Sequence, residues 1–210
     1  MKQKFTARLG QTGLLAAMAV VLWGCHAATP SWSDEEKALI GTSAASKMRL
    51  CTTDNPEDSL FLRRQCQPLT DEDLRSDTYA LLKARMLLTV NDPGNEGVGI
   101  AAPQVGIGRR VVAVQRVDRE GEPFEFYANP SIVYLSDEKQ SGLEGCLSVP
   151  RLAGRVERSQ QIVVEYTDEK QLTPRRDTVS GFTAIIFQHE IDHLDGILYI
   201  DRTTEVFAAP

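Results

Sequence analysis

Gly181-Phe182-Thr183-Ala184-Ile185-Ile186-Phe187-Gln188-His189-Glu190-Ile191-Asp192-His193-Leu194 is the stretch on which the reading of this chain turns. It contains no proline, and its apolar residues recur at helical spacing. A glycine at Gly196 can take the left-handed conformation that closes a helix, so the spacing predicts a helix over residues 181–194. Within it, His189-Glu190-Ile191-Asp192-His193 is an HExxH motif. Four residues advance a helix by about one turn, which sets His189 and His193 on one face with Glu190 beside them. Two imidazoles so placed converge on one ion, while Phe182, Ile185 and Ile186 anchor the upstream turns in a core. The chain has only three histidines, and two of them occupy this spacing.

A metal site needs a third protein ligand, and the candidates are few. Only 17 residues follow His193, none of them histidine, and their one glutamate is Glu205. The longer histidine motif of one protease group is therefore absent. Cys146 is the alternative: its thiolate suits Zn²⁺ or Fe²⁺, and its neighbours Gly145 and Ser148 suggest a loop. Cys146, His189 and His193 together make a three-ligand set whose fourth tetrahedral position is open, as in catalytic rather than structural sites. Glu190 is then the carboxylate placed to move the proton of a reacting water.

Upstream, Thr70 followed by Asp73 resembles a helix cap, and Leu74, Leu81 and Leu88 continue a helical pattern over residues 71–90. Asp92-Pro93-Gly94-Asn95 ends it with a turn. Residues 110–117, 124–127, 132–135 and 161–166 concentrate Val, Ile, Tyr and Phe between polar turns and are expected strands. They do not alternate regularly with helices, so the expected fold is α+β, with short antiparallel strands packed around a C-terminal metal-binding helix. Gly97 and Gly99 do not form a nucleotide loop, since the third glycine of that fingerprint and a preceding strand are both missing; glycines there permit close backbone approach to a substrate or to the metal helix.

Three blocks stand in order along the chain: Gly97-Val98-Gly99-Ile100-Ala101-Ala102-Pro103-Gln104-Val105-Gly106, Glu144-Gly145-Cys146-Leu147-Ser148-Val149-Pro150, and Gln188-His189-Glu190-Ile191-Asp192-His193-Leu194. Together they resemble the signature blocks of peptide deformylases, over roughly residues 60–202. The resemblance implies metal-dependent removal of the formyl group from formyl-methionyl peptides, with release of formate. It implies one divalent metal ion, with Fe²⁺ favoured and Zn²⁺ or another divalent metal as alternatives. It further implies that Gln104 and the backbone N–H of Leu147 stabilise an oxyanion, and that Gly99 positions the peptide backbone. Ile100, Ile185 and Ile186 are expected contributors to an apolar pocket for the methionine side chain. Many relatives carry an arginine three residues beyond the proline of the second block. This chain has Ala153 there, with Arg151, Arg155 and Arg158 nearby.

The N-terminus carries a different signal. Lys2, Lys4 and Arg8 precede the apolar run from Leu14 to Trp23, which ends at Gly24-Cys25. The run is short for a membrane helix and reads as an export signal. With Leu22 and Gly24 in place it resembles a bacterial lipobox, although Trp23 departs from the pattern. The expected organisation is a signal over 1–24, a tether or loosely packed extension over 25–59, a catalytic domain over 60–202 and a tail over 203–210. The expected location is exported and lipid-anchored to a membrane, with the cytoplasm as the alternative. Cys51 and Cys66 are candidates for a disulfide in an oxidising compartment. A net charge of −6 argues against nucleic acid as a partner, and a monomer is compatible with the sequence. Two other functions are open at this stage: an HExxH metallopeptidase that cuts internal bonds, and a lipoprotein that binds formyl peptides or metal without turnover.

Overall fold

The computed structural model describes residues 31–95 and 97–209. The expected signal and processing junction therefore lie outside the described residues. Helices α1 (Asp34–Ile40), α2 (Pro56–Leu62), α3 (Asp71–Arg75) and α4 (Asp77–Val90) precede a run of strands. These are β1 (Gly99–Ala101), β2 (Val111–Gln115), β3 (Phe124–Leu135), β4 (Lys139–Cys146), β5 (Val149–Ser159), β6 (Gln161–Thr167) and β7 (Pro174–Ser180). Helix α5 (Gly181–Leu194) follows, and β8 (Val206–Ala208) comes last. All pairings are antiparallel between named strands, giving one sheet of order β1-β2-β3-β6-β7 and a second of order β4-β5-β8. The α+β architecture around a C-terminal helix is the one expected.

Strand β2 shows why both sides of the larger sheet are filled. Val111, Val112, Ala113 and Val114 are all fully buried. Alternation sends Val112 and Val114 to one face, where they meet Ala184, Phe187 and Ile191 of α5, and sends Val111 and Ala113 to the other, against Leu82, Met86 and Val90 of α4. A strand covered on both faces reads as a continuous apolar run, as this one does. Helix α5 ends at Asp195 and turns through Gly196, at φ +74°, where an added Cβ would stand 2.4 Å from the Arg63 carbonyl oxygen. Only glycine satisfies both the handedness and the close approach.

Several expectations are corrected. Residues 71–90 form two helices, because Ser76 closes α3 and opens α4; its extended backbone breaks the spiral, and its Oγ accepts from the Tyr79 N–H. Residues 124–127 and 132–135 belong to one strand, β3, whose Asn129-Pro130 interruption falls where the pairing with β6 slips. Strands β4, β5 and β7 lack the apolar clusters that mark strands in sequence, each being rich in polar residues. Residues 31–59 are packed rather than tethering: Trp32, Ile40, Met48 and Cys51 are buried. Their polar residues act as caps, with Ser33 at α1 and Asn55 at α2, instead of signalling disorder. Residues 206–208 of the expected tail pair with Leu152–Gly154 as β8. Cys51 and Cys66 are buried with free thiols, raised to about 11 and about 12 by burial.

Trp32 is the anchor of the extension. Its indole N–H donates to Ser76 Oγ at 3.0 Å and the Arg109 guanidinium lies over its ring, while Glu36 of α1 pairs with Arg109. Trp32→Ala is expected to lower the unfolding free energy by about 3 kcal/mol in urea denaturation. An unchanged midpoint would mean that the extension does not pack on the domain in solution.

Candidate metal centre

Cys146 is the last residue of β4, and α5 presents His189 and His193 towards it. The Cys146 Sγ lies 3.2 Å from His193 Nε2, and one ligand atom from each of the three residues falls within 4.8 Å of the others. Tetrahedral Zn–S and Zn–N bonds of about 2.3 and 2.0 Å would leave such donors about 3.3–3.6 Å apart, so the set fits a single divalent ion. Glu205, the rival third ligand, is instead exposed near Arg155 on the approach to β8.

The surroundings favour a cation at the cluster. Glu144, two residues before the cysteine, accepts from Arg158 at 2.8 and 2.9 Å and lies 2.9 Å from His189 Nδ1. That contact holds the Nδ1–H on Glu144 and turns Nε2 to the cluster, the arrangement by which an outer carboxylate fixes a ligating imidazole. Burial opposes ionisation of Glu144, but the bonds from Arg158 and His189 overcome it and hold the carboxyl down at about 2. Burial likewise opposes a proton on His189, yet the bonds to Cys146 and Glu144 keep its proton affinity well above the ordinary imidazole range. His193 is pushed well down by burial and stays neutral, as a metal ligand must be.

Glu190 is fully enclosed, and burial raises its carboxyl to about 7. Its side chain rests against the backbone of Gly99, where an added Cβ would stand 2.4 Å from Glu190 Oε1. The close approach required of the first glycine-rich block is therefore to the carboxylate of the HExxH helix. Gln104 is buried on the short helical turn after β1; its Oε1 accepts from the Ala101 N–H at 2.8 Å, which leaves the amide NH₂ facing Cys146 Sγ at 3.6 Å. Leu147 follows the ligand cysteine and lines the same cleft, as do Gly99, Ile185 and Ile186. The cleft has a volume of about 890 Å³.

Ile100 is a correction: it is fully buried in the core beneath α4, because adjacent strand residues face opposite sides and Gly99 takes the cleft side. Phe182, expected as a core anchor, is half exposed on the cleft rim. Two supporting residues lie inside motifs read only for their ligands. Glu144 orients His189, and Asp192 binds Arg158 at 2.5 Å and also pairs with Arg202. Polar residues adjoining a ligand within a motif were the available signal. Gln188 adds the tie between α5 and β5, accepting from Ser159 N–H at 3.0 Å and donating to Ser159 O at 2.9 Å.

A thiolate with two imidazoles, an enclosed glutamate and an amide donor, gathered at the base of a peptide-sized cleft, defines a metallohydrolase site. The comparisons with known proteins agree with this chemistry. The polypeptide deformylase family profile matches residues 48–207. The peptide deformylase of Natranaerobius thermophilus is 42% identical over 168 residues, spanning 78% of this chain and 96% of that protein. That of a Roseiflexus species is 35% identical over 170 residues, spanning 75% of this chain and 89% of its own length. Among solved structures, a class I type b peptide deformylase from Acinetobacter baumannii aligns with a TM-score of 0.67 at 34% identity, covering 75% of this chain and 99% of that one. The Thermotoga maritima enzyme aligns at 0.64 with 32% identity, covering 75% and 98%. The chain belongs to the polypeptide deformylase family and is a deformylase-type metallohydrolase.

Two outcomes follow from the site geometry. Protein purified anaerobically should bind one divalent ion per chain by elemental analysis and titration, and Cys146→Ala or His193→Ala should each weaken that binding by well over tenfold; retention of full affinity in both would reject the ligand set. Gly99→Ala should keep the metal while lowering kcat at least tenfold, because its methyl occupies the seat of the Glu190 carboxylate; turnover equal to wild type would show that the carboxylate does not need that seat.

Proposed function

We propose that this chain hydrolyses the formyl amide of formyl-methionyl peptides, releasing formate and a free α-amine. The observation that carries the reading is the placement of Glu190 and Gln104 beside the Cys146-His189-His193 cluster. A divalent ion held there supplies Lewis acidity, which makes water a nucleophile at neutral pH and polarises a carbonyl oxygen. The formyl carbon is attacked by water, and the C–N bond to the methionine nitrogen breaks. Glu190 takes the proton of the attacking water and returns it to the departing amine. Gln104 Nε2 and the Leu147 N–H donate to the oxygen that becomes negative as the tetrahedral centre forms. Gly99 lines the cleft beside Glu190 and offers its backbone to the peptide. The apolar side chains of Ile185 and Ile186 along α5 suit an unbranched methionine side chain, which buries apolar surface there.

The ligand set accommodates iron or zinc, with Fe²⁺ the expectation from the family resemblance. Export and lipid attachment at Cys25 are part of the same reading and rest on the N-terminal sequence. Among the described residues, no helix is long and apolar enough to cross a membrane. Mass spectrometry of the mature N-terminus tests it: a lipidated Cys25 is expected, and a chain beginning at Met1 would overturn it.

Metal-loaded protein should release formate from formyl-Met-Ala-type peptides without cutting their internal bonds, followed by formate assay and peptide mass. Glu190→Gln should retain metal and lose turnover by about 10²–10⁴-fold. Gln104→Ala should raise the barrier by about 3 kcal/mol. Internal cleavage without formate would select a peptidase, and tight peptide binding without turnover in the loaded wild type would select a binding protein.

A further inference from the structure

Beyond the reacting end, the cleft has one uncommon feature. The β4–β5 pairing runs Gly145 to Ala153 but Cys146 to Val149, so Pro150, Arg151 and Leu152 are looped out of the ladder. Arg151 sits at the crest of this bulge with φ +62°, a left-handed conformation that non-glycine residues seldom adopt. Bulges next to active sites re-aim side chains, and a strained backbone persists only where its surroundings hold it. Here the Ala209 N–H donates to the Arg151 carbonyl at 2.8 Å, and β8 pairs with Leu152 just beyond. Arg151, Leu152 and Ala209 all line the cleft. Arg151 is the sole arginine or lysine among the described lining residues; the carboxylates Glu144 and Glu190 are buried at the inner end.

The guanidinium is available. Its ion pair with Asp54 spans 2.8 Å, but the two side chains are 74% and 50% exposed, and such pairs exchange readily for another anion. An extended formyl-tripeptide reaches about 10 Å beyond its reacting carbon, while Arg151 Cα lies at most about 7 Å along the chain from the Val149 that faces Cys146. A carboxylate two or three residues downstream of the formylated methionine therefore falls within reach of the arginine fork, which matches carboxylate geometry.

We propose that Arg151 is a specificity-determining residue that receives a carboxylate of the peptide substrate two or three residues beyond the formyl group. This rests on the deformylase reading above. The carboxylate has two sources, the free C-terminus of a short peptide or an acidic side chain. Three peptides separate them: formyl-Met-Ala-Ala as the free acid, the same peptide as its amide, and formyl-Met-Ala-Asp amide.

At low salt, kcat/KM should be about threefold higher for at least one carboxylate peptide than for the neutral amide, through KM rather than kcat. A preference for the free acid alone assigns the C-terminus, and one shared by the Asp amide assigns carboxylates of either origin. Arg151→Ala should bring the ratio to one, Arg151→Lys should keep most of it, and Asp54→Ala should increase it by removing the competing anion. About 0.5 M salt should collapse it. Equal rates for all three peptides in the wild type, or a preference that survives Arg151→Ala, would overturn the assignment while leaving deformylation intact. No formate from any of the three would instead remove the reading beneath it.

Discussion

The Glu144 carboxylate is the contact on which the rest of the site depends. Its two oxygens take the Arg158 fork on one side and His189 Nδ1 on the other, tying β4, β5 and α5 together at one point. Arg158 continues the chain of charge to Asp192, one residue before the second ligand histidine. All four groups are largely buried, and removal of Arg158 would take from the Glu144 carboxylate its guanidinium partner in a region where water cannot supply a replacement. The first ligand histidine is held in one tautomer and one direction by this network. The cluster therefore reflects a preorganised frame as much as the three side chains that would touch an ion.

The other half of the arrangement is steric. Gly99 and Glu190 belong to different signature blocks, and the close approach that the glycines permit is here to the metal helix. In the fold, the missing side chain of one is the space filled by the carboxylate of the other. Gln104 is set by the same stretch, since the Ala101 N–H fixes its amide oxygen and thereby its donor direction. Strand β1 and the turn after it set both the seat of the Glu190 carboxylate and the direction of the Gln104 amide.

How far this was legible in the sequence differs by element. Helix α5 and its ligands were readable because the helical period, the closing glycine and the metal chemistry all point the same way. Cys146 required the elimination of other ligands, and its partner Glu144 was visible only as a neighbour. Strands β4, β5 and β7 were hidden because polar residues dominate them, and their pairing comes from the ladder rather than from apolar clusters. Ile100 was misplaced because apolar character marks a residue as buried without saying on which side of the strand it is buried. Residues 31–59 were misread for a related reason: Ser, Asn, Thr and Pro are equally the composition of caps and of loose chain, and the decisive Trp32 contributes little to an average.

The two-sided burial of β2 has a bearing on where this protein can be cut. Val111 and Ala113 are sealed by α4 and the N-terminal layer, while Val112 and Val114 back the helix that carries the histidines. The same five-residue strand is thus a shared wall between two rooms, and opening either one wets a partition of the other. Water exclusion, rather than chemistry, marks the edge of the working unit. It includes residues such as Trp32 and Ile40 that lie ahead of the signature blocks and do not line the cleft.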